Sequence, residues 1–247
     1  MRTILYTPNE IMIRKLESNF PLTSEEKQAL NKLPIQSVDI KTNQDIVRVG
    51  DQPTQCCLLI EGFSCVYKLS LAGKRQIMAI HVPGDIPDLQ SLHLNVIDIN
   101  IASISPCKIG YILHDDVHRL CERFPRLIPV FWRETLVDAS IFREWLLNIG
   151  QRVAYARIAH LICELVLRLK AVGLIKENTF EMPVTQAELA DATGMTPVHM
   201  NRVLQMLRAE GLISTGRNEM TILDWPKLKE AGEFDPLYLH LEKKAVS

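Results

Sequence analysis

The residue types best suited to chemistry in this sequence are those that could read DNA bases from one face of a helix. Arginine can donate two hydrogen bonds to guanine, asparagine can pair with adenine, and a small apolar side chain can contact the thymine methyl group. Four such side chains share the outward face of a helix expected to end near residue 209: Val198, Asn201, Arg202 and Gln205. We predict that this set contacts bases. For Arg202 the competing interpretation is a solvated helix charge.

A second set of polar residues surrounds this face and could contact phosphates, which position a protein on DNA without specifying sequence. This set comprises Thr185, Gln186, Thr196, His199 and Arg217. His199 can equally be an ordinary surface histidine beside a buried edge.

The elements that must position these residues are predicted from helix-end signals. Thr185 and Glu188 form a capping box, and Gly194 supplies the left-handed conformation of a sharp turn. Thr196 and the following proline restart a helix, which Gly211 ends. Residues 212–223 form two short apolar runs around a turn at 216–218, the pattern of a β-hairpin. The sequence therefore predicts a winged helix-turn-helix, with Thr193 at a position that an apolar residue would fit better.

A long helix is predicted between residues 125 and 150, preceding this domain. Apolar or small residues recur there at alternating spacings of four and three: Ile128, Trp132, Thr135, Ala139, Phe142, Leu146 and Ile149. This is the a/d pattern of a coiled coil. Phe131, Leu136, Ile141 and Trp145 flank it. We predict a dimer interface along the heptad seam and a second face on the β domain; a single buried helix is the alternative.

The first 124 residues are predicted to form an all-β sensor domain. Gly50, Gly62, Gly73 and Gly84 recur at intervals of 12, 11 and 11, and short Val/Ile/Leu-rich runs lie between them. Asp51, Lys74 and Asp85 each follow a glycine, which predicts exposed turns, and Thr23 begins a short preceding helix. We thus expect an α+β chain: a β-roll over 1–124, a dimerisation helix over 125–150 and a DNA-binding domain over 151–247.

Composition limits the remaining possibilities. The 247 residues carry a net charge of −1, and eight Lys/Arg against seven Asp/Glu give residues 151–220 a net of +1. Non-specific electrostatic attraction to DNA should therefore be weak. No apolar run is long enough to span a membrane and no signal peptide is visible, so we expect a cytoplasmic protein without a membrane partner. The six cysteines follow no disulfide or zinc-finger spacing and are expected to be reduced. The adjacent pair Cys56–Cys57 lies in an apolar run and is expected to be buried; a redox or metal-ligand role is the alternative.

At this point the sequence resembles the Crp/Fnr family of bacterial transcription regulators over about residues 20–230. The resemblance rests on segments in the right order: 49–51, 60–62, 83–85, 185–190, 201–204 and 211–213. It implies a homodimer that places two winged helices on a palindromic operator, contacts RNA polymerase if it activates, and reads guanine with Arg202. Pro197 and Val198 stand where some members carry Arg and Glu, so the preferred DNA sequence should differ from theirs.

The sensor domain departs from the cyclic-nucleotide binders of that family. Their Gly-Glu-Leu and Arg-Ser-Ala segments hold the phosphate, whereas residues 84–107 here contain no Arg or Lys and include Asp85, Asp88 and Asp98. A phosphate would meet repulsion, so a cyclic nucleotide is not expected. The N-terminal cysteine cluster of iron–sulphur members is missing, because the first cysteine is Cys56. We therefore expect no cofactor or metal and leave the effector unknown; haem ligation through His81, His93, His114 or His118 stays open.

Two other function classes remain as alternatives. One is a cupin-like β-barrel metalloenzyme, although no His-x-His motif occurs. The other is a winged helix used for protein contact. The tail from Glu233 onward extends past the expected fold and either packs on the wing or lies free.

Overall fold

The computed structural model describes residues 6–241. Two helices begin the described chain, α1 (Pro8–Asn19) and α2 (Ser24–Asn31). Thr7 and Thr23 cap them, each in a reciprocal capping box with the glutamate three residues later. The start at Thr23 was expected, whereas α1 had not been predicted. Ile11, Met12 and Leu16 on α1 are fully buried.

A two-sheet β-roll follows between residues 36 and 113. Its strands are β1 (Gln36–Ile40), β2 (Asp45–Val47), β3 (Gln55–Glu61), β4 (Ser64–Leu69), β5 (Arg75–His81), β6 (Asn100–Ser103) and β7 (Cys107–Leu113). One sheet has the order β1-β7-β3 and the other β2-β6-β4-β5, with antiparallel neighbours throughout. Leu59, Ile101 and Ile109 belong to the apolar layer between the sheets. The glycine spacing therefore predicted this domain correctly.

The repeating glycines occupy left-handed positions at the turns. Gly50, Gly62, Gly73 and Gly84 all have φ between 73° and 99°. At Gly62 a β-carbon would also lie 2.3 Å from the carbonyl oxygen of Pro106. This turn between β3 and β4 consequently requires glycine for both conformation and space.

The chain then enters two helices, α3 (His114–Arg123) and α4 (Leu127–Gln151). The inner face of α4 buries Val130, Phe131, Val137, Ile141 and Trp145. The expectation that α4 has one face on its own β-roll is thus confirmed. None of the described helices is long and apolar enough to cross a membrane.

The C-terminal part is built on helix α5 (Ala154–Ala171), with which most of the following elements pack. They are β8 (Thr179–Glu181), α6 (Gln186–Thr193), α7 (Pro197–Ala209), β9 (Ile213–Thr215), β10 (Glu219–Ile222) and α8 (Trp225–Ala231). The predicted hairpin is β9–β10, and β8 adds a third strand in the order β8-β10-β9. The interpretation of 171–179 as a loop was wrong at its end, where β8 begins at Thr179. The strand consists of only three residues, Thr179, Phe180 and Glu181, and this run is too short for the alternation of a strand to be recognised in the sequence.

Over the described residues 233–241 the tail packs against helices of the chain, and neither expectation, packing on the wing or lying free, is correct for this part. Residues Pro236–Leu239 form a 3-10 turn that packs against α4 and α5. Phe234 and Leu239 are buried there. Two apolar anchors spaced five residues apart explain why this short segment is held on the helices.

Candidate nucleic-acid interface

Helix α7 divides into a buried and an exposed face. Met200, Val203, Leu204 and Leu207 are buried. The N-terminal half of the opposite face is open to solvent, and Val198 is 65% exposed there. This division follows from the 3.6-residue period, which places apolar residues three and four apart toward the core.

The turn before α7 has the geometry that the sequence predicted. Thr185 caps α6 in a capping box with Glu188, and Gly194 ends α6 with φ 66° and ψ 32°. Thr196 caps α7 by accepting a hydrogen bond from the His199 amide at 3.2 Å. Such caps satisfy amide groups that the helix itself leaves free.

Thr193, which departed from the expected pattern, is 2% exposed. Its hydroxyl donates a 2.6 Å hydrogen bond to the carbonyl oxygen of Leu189, one turn earlier. The polar atom is thereby satisfied inside the helix, and the methyl group supplies the apolar contact that the position needs.

The predicted base-reading residues are brought together on one face. Val198, Arg202 and Gln205 are exposed, and Asn201 is half-buried beside them. The Gln186 side chain donates to Asn201 Oδ1 at 3.4 Å, which links the start of α6 to the middle of this face. Within residues 6–241 no side-chain hydrogen bond engages Arg202 or Gln205, and both side chains are exposed, so their donors are open to solvent.

The five residues predicted to contact phosphates are all exposed, but they differ in whether a hydrogen-bond donor is free to bind a ligand. The hydroxyl of Thr185 already donates to Glu188 Oε2 at 2.8 Å, so its proton is used within the cap. The Thr196 hydroxyl only accepts, which leaves its proton for a ligand. Gln186, His199 and Arg217 lie at the surface, Arg217 within the β9–β10 turn. Thr196 is consequently the better phosphate donor of the two threonines.

The positive charge available to DNA is smaller than the net of +1 suggests. Arg157 donates its guanidinium hydrogens to backbone carbonyls, and Arg168 is 4% exposed and bound to carboxylates. Arg152, with a side chain 9% exposed, pairs with Glu144. Three of the eight basic side chains in residues 151–220 therefore serve the interior, while two of the seven acidic ones, Glu164 and Glu188, are buried as well, which leaves five of each. Recognition must depend on a few specific contacts more than on general attraction.

Arg157 fastens the start of α5 to the elements around it. Its guanidinium donates to the carbonyl oxygens of Asn148, Ile149 and Arg152 at 3.1, 2.8 and 2.9 Å, which lie at the end of α4. It also donates to the Thr193 carbonyl at 2.6 Å, at the end of α6. The carbonyls at a helix end lack partners within the helix, so one arginine satisfies several and fixes the junction.

The sensor domain contacts the helix-turn-helix directly through strand β5. Arg75 Nε lies 2.8 Å from Asp191 Oδ2 on α6, and the Gln76 amide donates to the Asp191 carbonyl at 2.8 Å. These contacts hold α6, and neither of them involves a residue of α7. The reading face is left uncovered by them.

Two sequence profiles match the chain where these structures lie. Residues 37–124 match the cyclic nucleotide-binding domain, and residues 156–231 match the Crp-like helix-turn-helix domain. The chain belongs to the Crp/Fnr family.

The similar proteins are consistent with that assignment. The transcriptional activator protein FnrL of Cereibacter sphaeroides is 23% identical over 239 residues, covering 94% of each chain. The transcriptional activator protein anr of Pseudomonas aeruginosa is 22% identical, over 82% of this chain and 83% of its own.

Solved structures share the fold at low identity. FixK2 from Bradyrhizobium japonicum has a TM-score of 0.73 at 18% identity, over 81% of this chain and 98% of that one. The c-di-GMP responsive global regulator CLP of Xanthomonas campestris has a TM-score of 0.61 at 14% identity, over 82% and 100%. The predicted fold class, α+β with a β-roll, a long helix and a winged helix-turn-helix, is confirmed.

In this Crp/Fnr chain Asp85, which follows Gly84, is buried, although it was expected to lie in an exposed turn. Asp85 is 4% exposed. Its carboxylate lies 2.6 Å from Arg168 Nη2, 3.2 Å from Lys15 Nζ and 3.3 Å from His81 Nδ1. No local pattern predicts this, because Lys15 lies 70 residues before Asp85 and Arg168 lies 83 residues after it. The Gly-Asp pair forms a turn, but tertiary packing of α1 and α5 covers it.

Asp85 is the charged centre of a larger buried cluster. Although burial opposes ionisation, Arg168 and Lys15 hold the pKa of Asp85 well below its ordinary value. Glu134 lies 3.4 Å from Lys15, and Glu164 lies 3.1 Å from Arg168. Burial raises the pKa of both glutamates. The cluster joins α1, the β-roll, α4 and α5.

A cavity of about 230 Å³ borders this cluster on the side of α4. His81, Gln90, Asp138 and Arg168 contribute polar groups to it, and Met78, Ile99 and Phe142 contribute apolar surface. Burial raises the pKa of Asp138. Arg168, the cationic guanidinium in this lining, is already bound to Asp85 and Glu164.

The cysteines behave as small apolar side chains, as expected. Five of the six are buried, Cys121 is half-buried, and all are free thiols. Burial raises the pKa of Cys56, Cys65 and Cys163 to about 12. Within residues 6–241 no group of three or more His, Cys, Asp and Glu side chains is arranged to hold a metal ion.

The heptad seam of α4 faces away from its own domain. Ile128, Trp132, Phe142 and Leu146 are 52, 65, 46 and 68% exposed, respectively. Ala139 is also exposed, while Thr135 and Ile149 are half-buried. Leu136, which flanks the seam in the sequence, is also exposed and therefore widens this apolar stripe. A continuous apolar stripe of this kind on a helix needs a partner to cover it.

Proposed function

We propose that this chain is a homodimeric, sequence-specific DNA-binding transcription regulator whose sensor domain controls its competence to bind DNA. The observation that carries the proposal is the open face of α7, where Arg202 and its neighbours project from a capped helix-turn-helix. Family membership supports the same function.

The dimer would form along the exposed seam of α4. A coiled-coil pairing of two α4 helices would bury Trp132, Phe142 and Leu146 against their counterparts. Two winged helices related by a two-fold axis then require a palindromic operator with half-sites about one helical turn, roughly 34 Å, apart. If the protein activates, RNA polymerase is a further partner, and the site of action is the cytoplasm.

Within each half-site we assign base reading to four side chains of α7: Val198, Asn201, Arg202 and Gln205. Arg202 suits guanine, because its guanidinium is free and can donate two parallel hydrogen bonds. Gln186, Thr196, His199 and Arg217 are assigned to phosphates. Thr185 is assigned there through its position alone, since its hydroxyl proton is engaged by Glu188.

We infer that the effector is not a cyclic nucleotide. The cation nearest the sensor cavity, Arg168, is neutralised by Asp85 and Glu164, and Asp138 adds a carboxyl group. A phosphate entering there would have to displace Asp85 from Arg168 at the cost of a buried, unpaired carboxylate. The effector's identity is left open. The interpretation of the β-roll as a cupin-like metalloenzyme has no support from the family match.

The test is selection of duplexes from a random pool by the full chain, followed by affinity measurements on single-base variants of the selected site. Arg202→Ala should lower discrimination at one base pair per half-site by about 1–3 kcal/mol. The matched control is Arg119→Ala, because Arg119 is an exposed arginine of α3 paired only with Asp116.

The control variant should retain both the affinity and the base preference. Unchanged discrimination in Arg202→Ala would show that Arg202 does not read a base. Failure of the unaltered chain to bind any duplex in a salt-dependent manner would remove the proposed function itself.

A further inference from the structure

The tail beyond α8 has a structural role that the family match does not cover. The helix-turn-helix profile ends at residue 231, whereas the described chain continues to residue 241. Residues 233–241, which we call the brace, cross from α5 to α4 and pack against both. Phe234 and Leu239 anchor the brace at 5% and 1% exposure.

Tyr238 connects the brace to the interior. Its hydroxyl donates a 2.9 Å hydrogen bond to Glu164 Oε2, and the ring stacks on His160 with centroids 5.7 Å apart. His160 is 1% exposed and lies 3.0 Å from the Gly232 carbonyl oxygen through Nδ1. The brace is therefore held by directional polar contacts as well as by apolar burial.

Glu164 is the point where three elements meet. It is completely buried on α5. It accepts hydrogen bonds from Trp145 Nε1 on α4 at 3.0 Å, from Tyr238 on the brace and from Arg168 Nη1 at 3.1 Å. Since α4 carries the dimer seam and α5 begins the DNA-binding domain, these bonds span the joint between the two.

The same network continues into the sensor domain. Arg168 donates to Asp85 Oδ2 at 2.6 Å and to the Ile80 carbonyl at 2.9 Å. A continuous chain of hydrogen bonds thus runs from Tyr238 through Glu164 and Arg168 to Asp85 in the β-roll. The joint itself consists of Arg152 and Val153, between the end of α4 and the start of α5.

We propose that the brace fixes the angle between α4 and α5 and so holds the DNA-binding domain in the arrangement that binds DNA. In the arrangement described here the reading face of α7 is exposed, and the side-chain hydrogen bonds and aromatic contacts that the brace makes with other elements go to His160 and Glu164 on α5 and to Trp225 on α8. Tyr238 is then a positioning residue: it changes the population of the binding arrangement without touching DNA. This inference rests on the proposed function.

The experiment compares Tyr238→Phe with Tyr111→Phe in the full chain. Phenylalanine keeps the stacked ring and removes only the hydroxyl, which donates to Glu164 and also lies 3.1 Å from His160 Nε2. Tyr111 is a half-buried tyrosine of β7 whose hydroxyl has no hydrogen bond among the described residues. Both variants are assayed below their unfolding temperatures, with the active fraction fixed by stoichiometric titration of the selected duplex.

Tyr238→Phe should raise the Kd for the selected duplex by about three- to tenfold, because part of a charged hydrogen bond is lost from the binding arrangement. Base preference should stay the same, since α7 is unaltered. Backbone amide exchange should accelerate at residues 150–157, around the joint, and Tyr111→Phe should change neither quantity.

The outcomes separate the brace from the proposed function. If the unaltered chain binds no duplex, the proposed function fails. If it binds and Tyr238→Phe binds equally well or more tightly, the brace assignment fails. A weaker affinity with unchanged amide exchange at the joint would also overturn it, because the effect would then not act through the α4–α5 angle.

Discussion

Replacing Asp85 by asparagine tests whether the buried ion cluster stabilises the fold. Asparagine has nearly the same shape and can still accept the 2.9 Å hydrogen bond from the Val82 amide. It removes the negative charge that lies 2.6 Å from Arg168 and 3.2 Å from Lys15. Both cations are under one-tenth exposed, so water cannot replace the lost carboxylate.

Removal of one partner from a buried ion pair costs about 3–5 kcal/mol, because the remaining charge stays desolvated. Neighbouring carboxyl groups offset part of this cost. Glu134 lies 3.4 Å from Lys15 and Glu164 lies 3.1 Å from Arg168, so each cation keeps one carboxyl group beside it. We therefore expect the lower end, about 3 kcal/mol. At about 2–4 °C per kcal/mol for a chain of this size, the unfolding temperature should fall by roughly 10 °C.

The assay is scanning calorimetry of both proteins at pH 7, with Asp98→Asn as the matched control. Asp98 is 74% exposed and pairs with Lys68 at 2.9 Å, so the same substitution there removes a solvated ion pair. Exposed pairs contribute well under about 1 kcal/mol, and the control should unfold within about 2 °C of the unaltered chain.

The sign of the pH dependence provides a second check. Arg168 and Lys15 hold the pKa of Asp85 below its ordinary value of 3.8. The stability from Asp85 is therefore present above pH 4 and lost as the pH falls below that value. The reasoning would be refuted if Asp85→Asn lowered the unfolding temperature no more than Asp98→Asn does. It would also be refuted if the difference in unfolding temperature between Asp85→Asn and the unaltered chain did not narrow below pH 4.

Two further predictions concern the dimer seam and a buried histidine. Leu146→Glu places a charge on the exposed seam of α4. Sedimentation should show that this variant is a monomer, and its affinity for the operator should be at least tenfold weaker. A variant that stays dimeric would show that the interface lies elsewhere. Burial lowers the pKa of His160 from 6.5 to about 4, so its neutral form stabilises the fold above pH 6.5. That contribution is lost as pH falls toward 4, by up to about 3 kcal/mol. In denaturant titrations His160→Asn should show a correspondingly flatter pH dependence than the unaltered chain, and parallel curves would contradict the assignment.

Local signals were enough to predict the helix-turn-helix that carries the proposed reading site. The caps at Thr185 and Thr196 and the turn at Gly194 act within a few residues of each other, so the sequence shows them directly. The outward face of α7 follows from the helical period alone. Within this site only the engaged hydroxyl of Thr185 required coordinates, because both its acceptance and its donation involve the same glutamate.

The sensor interior could not be predicted in the same way. Asp85 was expected in an exposed turn, because its own neighbours, Gly84 and Pro83, favour a turn. Burial of that turn depends on α1, which lies some 70 residues earlier, and on Arg168, 83 residues later. A carboxylate can be buried only where cations are brought to it, and no local pattern records that they will be.

The sequence by itself thus determined the order of the elements apart from α1 and β8. It also determined the capped helix-turn-helix, the apolar seam of α4 and the identity of the side chains on the face of α7. These depend on backbone conformation and periodicity, which act over fewer than about ten residues. Tertiary structure alone decided that Asp85, Arg168, Glu164 and Tyr238 form one connected network and that the tail braces α4 against α5. Such contacts depend on how distant segments pack, because the energy that forms them arises only when water is excluded by the complete fold.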